Sequence, residues 1–292
     1  MGIYLISPSG CVSKGQLDNA CTHLRQIGFE TNIDPDALNV YQRFAGTDQE
    51  RINAITRSLV QPLPIVMASR GGYGISRILS DIPWTKVADS GKVFVGHSDF
   101  TAFNLALLAK TGSVSYAGPA AAFDFGCDDI NELTSEMFYE VMHHQLQVLS
   151  FHCHNSDEVD TRGILWGGNL AMLMSLMGTE YMPLIDKGIL FLEDVAEHPY
   201  KIERMLIQLM HSGILEKQKA IVFGQFTSYK LAEHDNGFNF NSVIEWLRTK
   251  IKVPIITGLP YGHTPVKATL PIGKRVGLAT ENDMAYLLLS EH

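Results

Sequence analysis

Residues 64–69, Pro-Ile-Val-Met-Ala-Ser, form an apolar run that breaks straight into Arg70-Gly71-Gly72-Tyr73-Gly74. A strand without a polar face must be buried on both sides, and a parallel sheet covered by helices is the usual way to achieve that. The same texture returns at 3–7 and 92–96, each run ending in a turn and leading into helical spacing. Residues 13–27 read as a helix closed by Gly28, and 29–33 as a second strand. Thr47 and Glu50 form a capping box at the head of a helix over 48–59, and 75–79 begin another. Strands alternating with helices dictate βαβ units and an open parallel sheet.

After residue 143 the pattern changes. Residues 144–163 are polar and rich in histidine, and are expected to be a linker or crossover between a domain at 1–143 and another at 164–292. In the second, 167–176 reads as a helix start, 188–192, 219–223 and 254–257 as strands, and 200–212 and 241–251 as helices, with a strand-rich tail. The fold class is α/β, with two domains, the first of them an open parallel sheet.

Charge narrows the function. With 46% hydrophobic and 18% charged residues the chain has the composition of a folded globular protein. A net charge of -8 and no basic cluster beyond Gly273-Lys274-Arg275 argue against nucleic acid and anionic membrane as partners. No apolar stretch approaches the ~18 residues of a membrane span. The segment Met1-Gly2-Ile3-Tyr4-Leu5-Ile6-Ser7-Pro8 lacks a basic leader region, so the expectation is a cytoplasmic protein. Cys11, Cys21, Cys127 and Cys153 are scattered and read as free thiols.

Chemistry gathers at strand ends. Gly71-Gly72-Tyr73-Gly74 matches no phosphate-loop pattern, and reads as a tight turn or as an oxyanion site at the end of a parallel strand. Gly96-His97-Ser98-Asp99 has the same placement. A serine on a sharp strand-to-helix turn exposes its hydroxyl, although Phe100 stands where a nucleophile elbow has its second glycine. Ser98 or Asp99 as a helix cap is the plainer reading of that segment alone. Glu193 ends the apolar run 188–192, and His263 follows in the loop Gly258-Leu259-Pro260-Tyr261-Gly262. Each has an ordinary explanation as a solvated side chain. Together the three supply nucleophile, orienting acid and general base. His152 and His154 lack the partners of a zinc site, so no metal is expected.

These segments, with Arg43-Phe44-Ala45-Gly46-Thr47, Leu165-Trp166-Gly167-Gly168-Asn169-Leu170 and Leu192-Glu193-Asp194-Val195-Ala196-Glu197-His198-Pro199-Tyr200, resemble the L,D-carboxypeptidase family of serine peptidases nearly end to end. The resemblance implies an N-terminal flavodoxin-like parallel-sheet domain carrying Ser98 and a smaller, β-rich C-terminal domain carrying Glu193 and His263 as the rest of a triad. It implies an oxyanion hole from backbone N–H groups of Gly71 or Gly72 and of Asp99, a homodimer, and no cofactor. The implied substrate is a murein tetrapeptide, cut between meso-diaminopimelate and the terminal D-Ala in peptidoglycan recycling. Many relatives have tyrosine where this chain has His97. Arg70 and Arg204 are expected to anchor substrate carboxylates, because arginine offers a bidentate fork; for Arg204 a salt bridge with Glu203 or Asp194 is the alternative. Trp166 and Asn169 are candidates for the cleft wall, with core packing and helix capping as the alternatives. Two other functions fit the same residues: cleavage of an amide in a peptide–nucleotide antibiotic, and small-molecule binding without catalysis.

Overall fold

The structure, a computed structural model, describes residues 1–289. The expected apolar runs are strands buried on both faces: β1 (Gly2–Ile6) and β3 (Ile65–Ala68) are covered at every residue. Between them lie α1 (Lys14–Gln26), β2 (Glu30–Ile33) and α2 (Asp48–Ser58). The chain continues through α3 (Trp84–Asp89), β4 (Val93–Gly96), α4 (Thr101–Thr111), β5 (Ser115–Ala117) and α5 (Glu132–Met142). Next come β6 (Val148–His152), β7 (Asp160–Asn169), α6 (Leu170–Ser175), β8 (Ile189–Val195), α7 (Pro199–His211) and β9 (Ala220–Thr227). Last are α8 (Phe240–Arg248), β10 (Ile255–Ile256), β11 (Leu270–Ile272), β12 (Arg275–Glu281) and β13 (Met284–Leu288).

These elements divide into two compact units. The first takes residues 1–145, 176–183 and 265–273. Its sheet runs β11-β5-β4-β3-β1-β2, parallel except where β11 pairs antiparallel with β5. The order reverses direction between β1 and β3, the switch point outside which open α/β sheets hold their ligands. The second unit takes 146–175, 184–264 and, among the described residues, 274–289. Its sheet runs β10-β9-β8-β7-β12-β13-β6, parallel on the β10 side of β7 and antiparallel on the other.

Local chemistry explains most boundaries. Ser13 and Thr47 cap α1 and α2 with reciprocal bonds to Gln16 and Glu50, each satisfying orphan N–H groups of a first turn. Three segments differ from the sequence expectation. Residues 75–79 form 3₁₀ turns rather than a regular helix, because Gly74 offers no side-chain cap and Pro83 follows closely. The segment expected as a linker, 144–163, contains β6, whose residues alternate exposed and buried with Leu149 and Phe151 inward. Residues 167–169 finish β7 rather than starting a helix. Gly167 and Gly168 hold φ of 129° and 130°, and a Cβ at 167 would lie 1.9 Å from the carbonyl oxygen of Phe191 on β8. Only glycine lets the strands come that close. Among the described residues, no helix is long and apolar enough to cross a membrane, and the four cysteines are free thiols.

Candidate active site

In the first unit, β4 delivers Ser98 to a single 3₁₀ turn, Ser98–Phe100, which leads into α4. Ser98 has φ of 61°, a left-handed conformation that costs a non-glycine residue of order 1–3 kcal/mol and clusters at functional turns. That is the backbone of a nucleophile elbow. The missing second glycine also has its explanation. A Cβ at Gly96 would lie 2.4 Å from the Phe100 ring, so the close approach is made by Phe100 folding over Gly96.

The Arg70–Gly74 loop passes beside this turn. A Cβ on Gly71 would stand 2.7 Å from Ser98 Cβ, 2.9 Å from His97 O and 3.1 Å from Asp99 N. Gly72 holds φ of 109°, which favours glycine again. Asp99 is fully buried and does not cap α4. Its Oδ2 accepts from Ser9 Oγ at 2.7 Å and from Ile75 N at 3.0 Å. Burial pushes its carboxyl up, and those two donors oppose the shift. His97 is buried immediately before the serine. Arg70 donates to Cys11 O at 2.9 Å and lies over the Phe123 ring, 4.9 Å from its centroid.

In the second unit, the end of β8 presents Glu193 and the loop after β10 presents His263. Glu193 is 0% exposed, and its Oε2 accepts a hydrogen bond from His263 Nδ1 at 2.9 Å. Its Oε1 accepts from Asn169 Nδ2 at 3.1 Å, and the same amide donates to Asp194 Oδ1 at 3.0 Å. With Nδ1 donating to a carboxylate, the neutral imidazole keeps Nε2 as its acceptor. Asp194 also accepts from Ala171 N and Val195 N at 2.9 and 2.8 Å, yet burial raises its carboxyl to about 6. The imidazole loop is shaped by its glycines. Gly258 and Gly262 have φ of 89° and 151°, and a Cβ at 258 would lie 2.1 Å from His152 O. Tyr261, fully buried edge-on to Phe191, accepts from Gln225 N at 2.8 Å and ties the loop to β9.

Of the remaining expected residues, Asn169 belongs to this hydrogen-bonded set, while Trp166 and Arg204 fall outside it. Trp166 is 1% exposed, with its indole N–H on Gln218 Oε1 at 2.9 Å, so it packs the core of its own unit. Asn169 caps α6 through Met172 N and also fixes Glu193. Arg204 is exposed on α7. His152 and His154 are exposed and stack on each other at 5.7 Å. Sequence reasoning missed Ser9, Asp194 and Arg51. Asp194 stood inside a recognised motif, Ser9 in the turn after the expected strand 3–7, and Arg51 within the helix expected over 48–59.

The comparisons with known proteins follow this layout. Residues 3–118, which include the glycine loop and Ser98, match the LD-carboxypeptidase N-terminal domain. Residues 162–278, which include Asn169, Glu193 and His263, match the LD-carboxypeptidase C-terminal domain. A Synechocystis protein named as a carboxypeptidase is 31% identical over 286 residues, covering 94% of this chain and 90% of the relative. The chain belongs to the LD-carboxypeptidase family.

As an LD-carboxypeptidase family member it carries the hydrolase framework of that family, with two sheets in two units. The crystal structure of a muramoyltetrapeptide carboxypeptidase from Oxalobacter formigenes is 44% identical and superposes with a TM-score of 0.95, covering 100% of this chain and 99% of that one. The microcin C7 self-immunity protein of Escherichia coli is 26% identical over 271 residues, covering 82% of this chain and 78% of the relative. The chain is thus similar both to a muramoyltetrapeptide carboxypeptidase and, at lower identity, to a self-immunity protein.

Proposed function

We propose that this chain is a serine-type carboxypeptidase that hydrolyses the bond between the L-centre of meso-diaminopimelate and the terminal D-Ala of murein tetrapeptides. The observation that carries the reading is the buried Glu193 carboxylate bound to His263 Nδ1 at 2.9 Å, which leaves Nε2 as a base. The strained elbow at Ser98 supports it, as does the likeness to a muramoyltetrapeptide carboxypeptidase at 44% identity.

In this mechanism Ser98 Oγ attacks the scissile carbonyl carbon while His263 Nε2 takes the hydroxyl proton. The carbonyl oxygen becomes an oxyanion, received by backbone N–H groups of Asp99 and of Gly71 or Gly72. Collapse breaks the C–N bond, and the imidazolium returns its proton to the amine of D-Ala. Water then attacks the acyl-serine, giving its proton to His263, and tripeptide leaves as Ser98 regains its hydrogen. Glu193 holds the imidazole's tautomer and stabilises its charged form throughout. Arg70 and Arg204 are the proposed contacts for substrate carboxylates. The reading includes a cytoplasmic site of action and a homodimer, checked by fractionation and by sedimentation.

The test is mass spectrometry of L-Ala-γ-D-Glu-meso-diaminopimelate-D-Ala incubated with wild type and with Ser98→Ala. Loss of one alanine by wild type alone is the expected result. With both proteins folded and neither releasing alanine, the murein substrate is wrong, and a peptide–nucleotide amide is the next substrate to assay.

A further inference from the structure

One buried charge in the first unit has no role in the reaction described above. Arg51 lies on the inward face of α2 with Ala54, Ile55 and Ser58, and is 0% exposed. A guanidinium removed from water destabilises the fold unless acceptors inside replace the lost hydration. Those acceptors are particular carbonyls. Nη1 donates to Pro8 O and to Gly74 O, both at 2.9 Å. Nη2 pairs with Asp48 one turn earlier on the same helix, and Cζ stands 4.8 Å from the centroid of the Phe44 ring. Asp48 in turn accepts from Arg77 Nη2 at 2.8 Å and Arg77 Nε at 3.2 Å. One helix thus holds Gly74 directly and the following turn, Ile75–Arg77, through Asp48.

The two carbonyls belong to the loops that follow β1 and β3, and both loops lead to the elbow. Beside Pro8, Ser9 donates its hydroxyl to Asp99 Oδ2, and Gly10 N donates to Gly71 O at 3.2 Å. Beside Gly74, Ile75 N donates to the same Asp99 oxygen. Gly74 must be glycine here, because at its φ of 151° a Cβ would lie 2.5 Å from Arg51 Nη1. Asp99 and Gly71 or Gly72 are the proposed oxyanion donors, so the bonds made by Arg51 span the two loops that set the distance between them.

We infer that Arg51 is a positioning residue, whose fork onto Pro8 O and Gly74 O fixes the spacing of the two oxyanion donors; this rests on Ser98 being the nucleophile. Lysine keeps the charge but has one nitrogen on a flexible stem, and cannot hold two carbonyls and Asp48 in a fixed plane. The full-length chain is therefore compared as wild type, Arg51→Lys and Asp48→Asn. For Arg51→Lys, kcat for alanine release is expected to fall about 10²-fold, the scale of one displaced oxyanion donor, with KM unchanged. Labelling of Ser98 by a fluorophosphonate slows by the same factor, while the thermal midpoint stays close to wild type. A folded Arg51→Lys protein with wild-type kcat overturns the inference, as does a loss of activity that matches the unfolded fraction and recovers on cooling. Should Arg51→Lys not fold, Asp48→Asn decides: a smaller fall in kcat at unchanged KM supports the clamp, and wild-type kcat overturns it. Wild type that neither releases alanine nor takes the label removes the parent reading itself, a failure recognisable without either variant.

Discussion

A neutral imidazole has one proton to place, and at His263 its position is set by Glu193. Glu193→Gln keeps the shape but offers an amide donor toward Nδ1. The proton then moves to Nε2, which can no longer accept from a serine hydroxyl. We expect kcat to fall by about 10⁴-fold with KM little changed, as befits a tautomer error. Alanine release measured on folded protein checks this, and near-wild-type kcat would remove Glu193 from the mechanism. Its neighbour Asp194 makes a separate prediction about stability. Burial raises its carboxyl from 3.8 to about 6 in the folded chain, so between those values the folded state holds a proton that the unfolded state has released. Stability from this group is therefore greatest at acid pH and declines as pH rises through that window. Above it the accumulated loss is on the order of 3 kcal/mol. Urea denaturation at steps between pH 4 and 7 reads the slope, and Asp194→Asn should remove this share of it. An unchanged slope in the variant would mean the carboxyl titrates normally.

At the scale of elements, the glycine loop and the helix beneath it separate activity from stability. Gly71→Ala places a Cβ 2.7 Å from Ser98 Cβ, so the loop or the elbow must shift. The expected outcome is loss of alanine release with a folded protein, read by assay alongside circular dichroism. Thr47→Ala instead deletes the cap of α2. It should cost about 1 kcal/mol in denaturant while kcat stays at wild type. These same elements show what the sequence disclosed. Both-face apolar runs gave β1 and β3, the closing Gly28 gave α1, and a capping box gave α2, because these signals are local. The elbow at Ser98 was legible from its place at a strand end, but its φ of 61° was not, since serine has no preference for that conformation. Arg51 was invisible for a different reason. A charge on an amphipathic helix normally faces water, and only the tertiary placement of Pro8 and Gly74 turns it inward. Residues 167–168 misled because two glycines ahead of an apolar run read as the start of a helix, whereas the neighbouring β8 backbone is what demands them.

For the whole molecule, the chain's route matters more than its length. The first unit's sheet is not complete when the chain leaves it at residue 145, because its edge strand β11 comes from 270–272. Leu270, Pro271 and Ile272 pair with Ala117, Tyr116 and Ser115 along β5. The same return brings Lys267, whose Nζ contacts both oxygens of Asp124 at 2.8 and 2.9 Å, with both side chains almost wholly buried. A fragment ending at residue 145 would leave the β5 edge without its partner and Asp124 without its cation. Removing one member of a buried pair costs about 3–5 kcal/mol, a large share of the stability of a small domain. A bare strand edge also invites association between copies. The fragment is therefore expected to be insoluble, or to lack the near-ultraviolet dichroism of the intact chain. Lys267→Met in the full-length protein should lower stability by the same 3–5 kcal/mol scale in denaturant titration. A soluble, cooperatively unfolding 1–145 fragment would show instead that α1–α5 and β1–β5 fold as a self-sufficient unit, and that the returning chain only decorates its edge.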